Sequence, residues 1–244
     1  MKNKLLHKIF SLLISIIDYV NKKKIILFFK KIFKKKYINV IDIGAHKGET
    51  IDFLLKNFNI NTIYSFEPNS DLFLNIKKIT KYQNSKIKIF NIGLGDKKEI
   101  KELKEILDSS SSTFNTINEE SNYFKRKQKI FSYFFKKQQF IKEYQKIEID
   151  KLSNIINKNK IGEIDLLKID TEGYEYNVLR GIDDIDFKKI NFIYFEHHYD
   201  LMIQKGYKYS DINSLLKRKN FYLKYKIKMK LRKSFEYVYE NSKK

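Results

Sequence analysis

Apolar positions recur with period two in a series of short runs, and between the runs their spacing changes to that of amphipathic helices. The first run is YINVIDI, residues 37–43, where Ile38, Val40, Ile41 and Ile43 make a buried strand. It breaks at Gly44, and a helix restarts over 47–57. The pattern then predicts a strand at 61–66, a helix at 71–82 and a strand at 86–91. Gly93 and Gly95 read as a turn, and 96–108 as an edge hairpin or short strand. Further on come a strand at 146–149, a helix at 151–158, an apolar strand at 164–170 and a helix at 174–179 closed by Gly181. A strand at 190–196, a helix at 210–218 and a closing hairpin of 221–226 with 235–239 complete the series. Successive strand–helix units of this kind build an α/β fold around a parallel sheet.

Three segments depart from the alternation. Residues 109–113, SSSST, are of low complexity and read as a flexible loop or a hydroxyl-rich lip over a ligand. Residues 119–144 mix Lys with Phe and Tyr and read as a helical insertion, either a lid or a packed cap. Residues 1–36 carry one apolar block between Leu5 and Ile17 and a second between Ile25 and Phe33, set among lysines. Neither block reaches the roughly 18–20 uncharged residues that span a bilayer. Asp18 interrupts the first, and no small-residue cleavage site follows it. Two basic amphipathic helices are expected there, as a cap on the domain or as an in-plane membrane contact. The folded domain is therefore expected over 37–240, with a frayed tail at 240–244.

Composition refines this outline. Lys plus Arg number 50 against 29 Asp plus Glu, a net charge of +21. Such a balance favours anionic partners, yet the charge is mostly Lys scattered along the chain, as on a solvated surface. Nucleic acid is therefore not the expected partner. The chain has no Cys. That removes disulfides, zinc-thiolate sites, iron–sulfur clusters and every chemistry that needs a Cys nucleophile. A Cys-free chain fits a reducing, cytoplasmic setting, with the basic N-terminal segment as a possible link to a membrane.

The candidate chemistry gathers at the carboxyl ends of the predicted strands, where open α/β sheets bind their ligands. The first strand ends in Asp42-x-Gly44-x-x-x-Gly48, wider than the G-x-G-x-x-G of dinucleotide enzymes and of the kind that accompanies S-adenosylmethionine. Glu67, at the end of the second strand, suits the hydroxyls of a ribose. The loop residues Gly44, Ala45, His46, Gly48 and Thr50, with Asp42, Glu67, Pro68, Asn69 and Asn91, are the candidate cofactor contacts. Lys168 and Asp170 share a face of their strand, and a Lys among Leu and Ile must find a partner or reach the crevice. Asp170, Glu172, His197 and His198 are the candidate bases; the imidazoles have the best unperturbed pKa, whereas a carboxylate needs burial. Their spacing fixes no metal site.

Three segments together resemble the FkbM-type methyltransferases: VIDIGAHKGET, FEPN, and DLLKIDTEGYEYNVLRG followed by IYFEHH. The last, with Lys168-x-Asp170-x-Glu172-Gly173-x-Glu175, is the most specific. The resemblance spans about 37–200. It implies a Rossmann-like, mostly parallel seven-stranded sheet with helices on both faces and S-adenosylmethionine-dependent O-methylation of a saccharide, glycan or small hydroxylated metabolite. It implies Asp42, Gly44, Gly48 and Glu67 as cofactor contacts and Asp170 and Glu172 as active-site acids. His46 stands where such loops often carry Asn, and the 119–144 insertion leaves the acceptor open. An RNA methyltransferase and a non-catalytic binding module are the alternatives.

Overall fold

Both faces of the first strand are covered, which is why YINVIDI is nearly continuous in buried residues. The computed structural model describes residues 23–79, 82–106, 112–134, 141–229 and 233–242. Helix α1 (23–33) leads into β1 (Tyr37–Ile43), α2 (Glu49–Asn57), β2 (Asn59–Phe66), α3 (Ser70–Lys77) and β3 (Ile87–Phe90). The middle of the chain forms β4 (Gly93–Leu94), β5 (Glu99–Ile106), β6 (Ser112–Thr113), β7 (Thr116–Ile117), α4 (Asn122–Phe134) and β8 (Ile141–Asp150). The remainder is α5 (Leu152–Lys158), β9 (Ile164–Ile169), α6 (Glu175–Arg180), α7 (Asp184–Phe187), β10 (Ile190–His198), β11 (Ile203–Gln204), α8 (Tyr209–Arg218), β12 (Phe221–Lys228) and β13 (Ser234–Asn241).

Seven strands form the main sheet in the order β12-β13-β10-β9-β1-β2-β3. Neighbours from β10 to β3 are parallel, and the β12–β13 hairpin joins antiparallel at β10. This is the expected Rossmann-like sheet. Helices cover both faces. On one, Ile25, Phe29 and Phe33 of α1 pack with Ile51 and Leu54 of α2 against Val40, Leu166 and Phe192. On the other, α5, α6 and α8 pack Ile156, Val178 and Leu216 against Ile41, Leu167 and Ile193. Beside the main sheet lies a four-stranded sheet, β4-β8-β5-β6.

The second half of the N-terminal segment is a cap. Phe29 stacks on Phe33 at 5.2 Å and meets Phe192 edge-on at 5.9 Å. Burying each ring contributes about 1.5–3 kcal/mol. Lys23, Lys24, Lys30 and Lys31 stay exposed on its outer side. The first apolar block, within 1–22, lies outside the described residues, as do Ser109, Ser110 and Ser111. Among the described residues no helix is long and apolar enough to cross a membrane.

Several boundaries differ from the periodicity. Gly93–Leu94 is not a turn but a short strand parallel to Ile149–Asp150. The helix of the insertion ends by Phe134, and β8 already begins at Ile141 because β5 pairs with it from Ile106 back to Glu99. The helix expected over 71–82 stops at Lys77. Strand β10 runs on through His197 and His198 because β13 pairs with it down to Ser234. The same sheet holds Glu240 and Asn241, expected to fray.

Candidate active site

Four polar residues stand side by side in the strand register: Ser65 on β2, Asp42 on β1, Lys168 on β9 and Tyr194 on β10. Period two places them on the α1 side of the sheet, in line with Val40, Leu166 and Phe192. Ser65 Oγ donates to Asp42 at 2.9 Å. Lys168 Nζ lies 3.4 Å from Asp42 and 3.3 Å from Asp170. The Tyr194 hydroxyl donates to Glu236 at 2.7 Å. Burial pushes the Asp42 carboxyl up from its ordinary value. Burial opposes the charge of Lys168 too, but Asp170 and Asp42 outweigh it and hold the ammonium well above the usual lysine range. Lys168 thus finds the partners that a lysine in an apolar strand requires.

The loop after β1 turns sharply, because Gly44, His46 and Gly48 all adopt the left-handed region, with φ of 87°, 51° and 88°. At Gly44 the conformation and the packing both demand glycine, since a Cβ there would lie 1.9 Å from the Asp170 carbonyl oxygen. Strands β1 and β9 therefore end in loops that touch backbone to backbone. The loop after β9 has its own left-handed residue, Glu172, at φ 48°. Buried Glu175 fixes that loop, accepting from the Gly173 N–H at 2.8 Å and from Thr171 Oγ1 at 3.2 Å, with the Tyr207 hydroxyl on its other oxygen. Left-handed non-glycine residues cost energy and cluster at ligand-binding sites.

Between these loops opens a cavity of about 280 Å³. Gly44, Ala45, His46, Thr50, Glu67 and Pro68 line one side, and Lys168, Asp170 and Glu172 its floor, all expected from the sequence. Glu67 accepts the His46 N–H at 2.7 Å and the Asn69 N–H at 2.9 Å, so its position is set by main chain on both flanks. Burial raises its pKa to about 7 against the pull of those two N–H groups. Phe66, Leu72, Ile92 and Leu94 add an apolar patch beside it.

Other expected residues serve the site from outside the cavity. Asp42 is sealed beneath the floor, paired with Lys168, and touches no ligand space. Asn69 is the N-cap of α3, accepting from Asp71 and Leu72 at 3.0 Å each. Asn91 Nδ2 donates to the Glu67 and Pro68 carbonyls at 2.9 Å each, bracing the second loop. Gly48 caps α2 and accepts from the Tyr82 hydroxyl at 3.1 Å.

The two histidines divide. His197 projects to the opposite face, where its ring lies 4.9 Å from Tyr199, 5.8 Å from Tyr207 and 6.1 Å from Tyr209. Burial pushes its pKa down to about 3. It is correctly placed in no proton transfer at the cavity. His198 lies behind the cavity wall, with Nε2 3.4 Å from Glu172 and 3.6 Å from Glu196, and Nδ1 3.5 Å from Asp200. Burial alone would lower its pKa, but those carboxylates raise it to about 10. It is a fixed cation at neutral pH, not the base that its unperturbed pKa suggested. Burial raises Glu172 to about 7 against the opposing charge of His198, so this carboxyl, in contact with the cavity, has the pKa suited to a base.

Tyr194, Glu196, Met229 and Glu236 also line the cavity. Tyr194 and Glu196 follow from period two along β10, whereas Glu236 enters only through the hairpin register that sets it opposite Glu196. Among the described residues no group of His, Asp or Glu side chains is disposed to hold a metal ion.

A family model described as the methyltransferase FkbM domain matches residues 42–223. No curated protein matches the sequence. Among solved structures, the chain is similar to magnesium protoporphyrin IX methyltransferase (ChlM) of Synechocystis PCC 6803 with bound SAH. The TM-score is 0.50 at 7% identity, over 94% of this chain and 85% of that one. It is also similar to the N-methyltransferase NodS of Bradyrhizobium japonicum WM9, with a TM-score of 0.47 at 8% identity, over 92% and 96%. At 7% identity the likeness to the former is one of fold.

Proposed function

The chain belongs to the FkbM methyltransferase family, and on that footing we propose that it transfers a methyl group from S-adenosylmethionine to a hydroxyl of a saccharide or other small hydroxylated molecule. The observation that carries this reading is the pair of carboxyls in one cavity, Glu67 on the β2 side and Glu172 on the β9 side, each raised to about 7. Bound there, S-adenosylmethionine supplies an electrophilic methyl group on a sulfonium.

The residues present fit that group. Glu67 has the position and the acceptor oxygens for ribose hydroxyls, held by two main-chain N–H bonds. Gly44 and Ala45 bring main chain to the cavity without a large side chain, and Phe66, Leu72, Ile92 and Leu94 offer an apolar seat for a purine. Carboxylates around a sulfonium complement its positive charge.

At the acceptor, Glu172 would take the hydroxyl proton as the methyl group passes from the sulfonium to the oxygen and the sulfur leaves as a neutral thioether. The charge of His198 holds Glu172 in place. Lys168 tethers Asp170 beside it, so the floor keeps a fixed shape. Isothermal titration with S-adenosylmethionine, followed by transfer of a labelled methyl group to hydroxylated acceptors, tests the reading. Saturable binding with label recovered in an alkali-stable ether supports it; absence of binding sinks it.

A further inference from the structure

The cavity reverses the charge balance of the chain that builds it. Lysine and arginine outnumber acids 50 to 29 in the sequence. Yet among the described residues the lining holds six acids, Glu49, Glu67, Asp170, Glu172, Glu196 and Glu236, and a single lysine. That lysine, Lys168, is already engaged by Asp42 and Asp170.

The acids fall into two groups along the sheet. Glu67 follows β2, while Glu196 and Glu236 belong to β10 and β13, three and four strands away. At about 4.8 Å per strand that is roughly 14 and 19 Å from the ribose position. Glu196 and Glu236 are therefore on the acceptor side. They are direct partners across the antiparallel ladder, so both carboxyls lie on the same face of the sheet. The Tyr194 hydroxyl occupies one Glu236 oxygen. Among the described residues, Glu196 Oε1 is buried and accepts no hydrogen bond, and the His198 imidazolium lies 3.6 Å away.

We propose that this wall selects an acceptor without anionic groups: a neutral polyol or, better, an amine-bearing sugar, bound by donating to Glu196 and Glu236. The inference rests on the methyl-transfer reading and deepens it. Hydroxyl and ammonium groups are donors that match carboxylates. A phosphate, sulfate or carboxylate on the acceptor would meet more acids than the nearby His198 imidazolium offsets. The same wall disfavours an RNA acceptor, whose backbone phosphates would enter beside it.

The test uses the full chain saturated with S-adenosylhomocysteine and four matched probes: methyl glucoside, glucosamine, glucuronate and glucose 6-phosphate. Binding is read by titration calorimetry. Glucosamine and methyl glucoside should bind at least about tenfold more tightly than the two anions. Glu196→Gln and Glu236→Gln should each weaken glucosamine binding while leaving S-adenosylhomocysteine affinity unchanged. Equal or tighter binding of the anions, or binding of none of the four, overturns the inference. Failure of S-adenosylhomocysteine to bind at all would instead fail the methyl-transfer reading, so the two outcomes are distinct.

Discussion

His197 and His198 are consecutive in β10, yet one is held neutral and the other charged, with pKa values of about 3 and about 10. They point to opposite faces of the sheet, His197 into a nest of tyrosines and His198 into Glu172, Glu196 and Asp200. The pair therefore tilts stability in opposite directions. His197 binds its proton less well folded than unfolded, so its share is present above about 6.5 and is lost as pH falls toward 3. His198 binds its proton better folded, so its share is present below about 6.5 and is lost as pH rises toward 10. Denaturant midpoints measured from pH 4.5 to 9.5 should show His197→Phe flattening the acid side and His198→Gln the alkaline side. Variant curves that parallel the wild type would remove both assignments.

Glu67 should control cofactor affinity. Glu67→Ala should weaken S-adenosylmethionine binding about tenfold or more, and wild-type affinity should fall as pH drops below about 7, where the carboxyl gains its proton. Calorimetry across pH 6–8 checks both, and an unchanged dissociation constant would end the ribose assignment.

Glu172 should control turnover. With saturating cofactor, single-turnover rates should rise with pH through about 7, since a base must be deprotonated to act. Glu172→Gln should lower the rate by roughly 100-fold or more, with little effect on cofactor affinity. A parallel loss of both would place Glu172 at the cofactor rather than the acceptor.

Gly44→Ala should be among the most damaging small substitutions. It forces a Cβ onto the Asp170 carbonyl in a left-handed conformation. A loss of at least roughly 1–3 kcal/mol is expected, read as a lowered melting temperature and weaker cofactor binding.

Lys168→Met should cost roughly 3–5 kcal/mol, because Asp42 is left buried without its counter-charge. The double variant with Asp42→Asn should recover much of that loss in the same denaturation assay. If it does not, the ion pair is not the source of the cost.

The architecture was largely legible in the sequence because parallel strands covered on both faces advertise themselves as apolar runs, as 164–169 does. Strand β8 was half hidden: Ile147 and Ile149 near its end alternate as buried positions, whereas its start at Ile141 is set by pairing with β5. The loops after β1, β2 and β9 were legible through Gly44, Glu67 and the Asp170–Glu175 segment, whose spacing is local. Strand-end position alone could not separate Asp42, Asn69 and Asn91, which brace the site, from Glu67, which faces it. Nor could it tell His197 from His198, because that distinction depends on where the strand ends. Glu236 became visible only through a register between strands far apart in the chain.

The lateral file of Ser65, Asp42, Lys168 and Tyr194 has a consequence for how the sheet assembles. Its members come from segments up to 129 residues apart, and parallel pairing between them has no turn to set the alignment. A slip of one residue in β9 would drive the lysine to the opposite face, into the layer of Ile41, Leu167 and Phe195, and strand Asp42 without its cation. The observed alignment sets Lys168 beside both Asp42 and Asp170, so the buried charges favour this strand register over a one-residue slip.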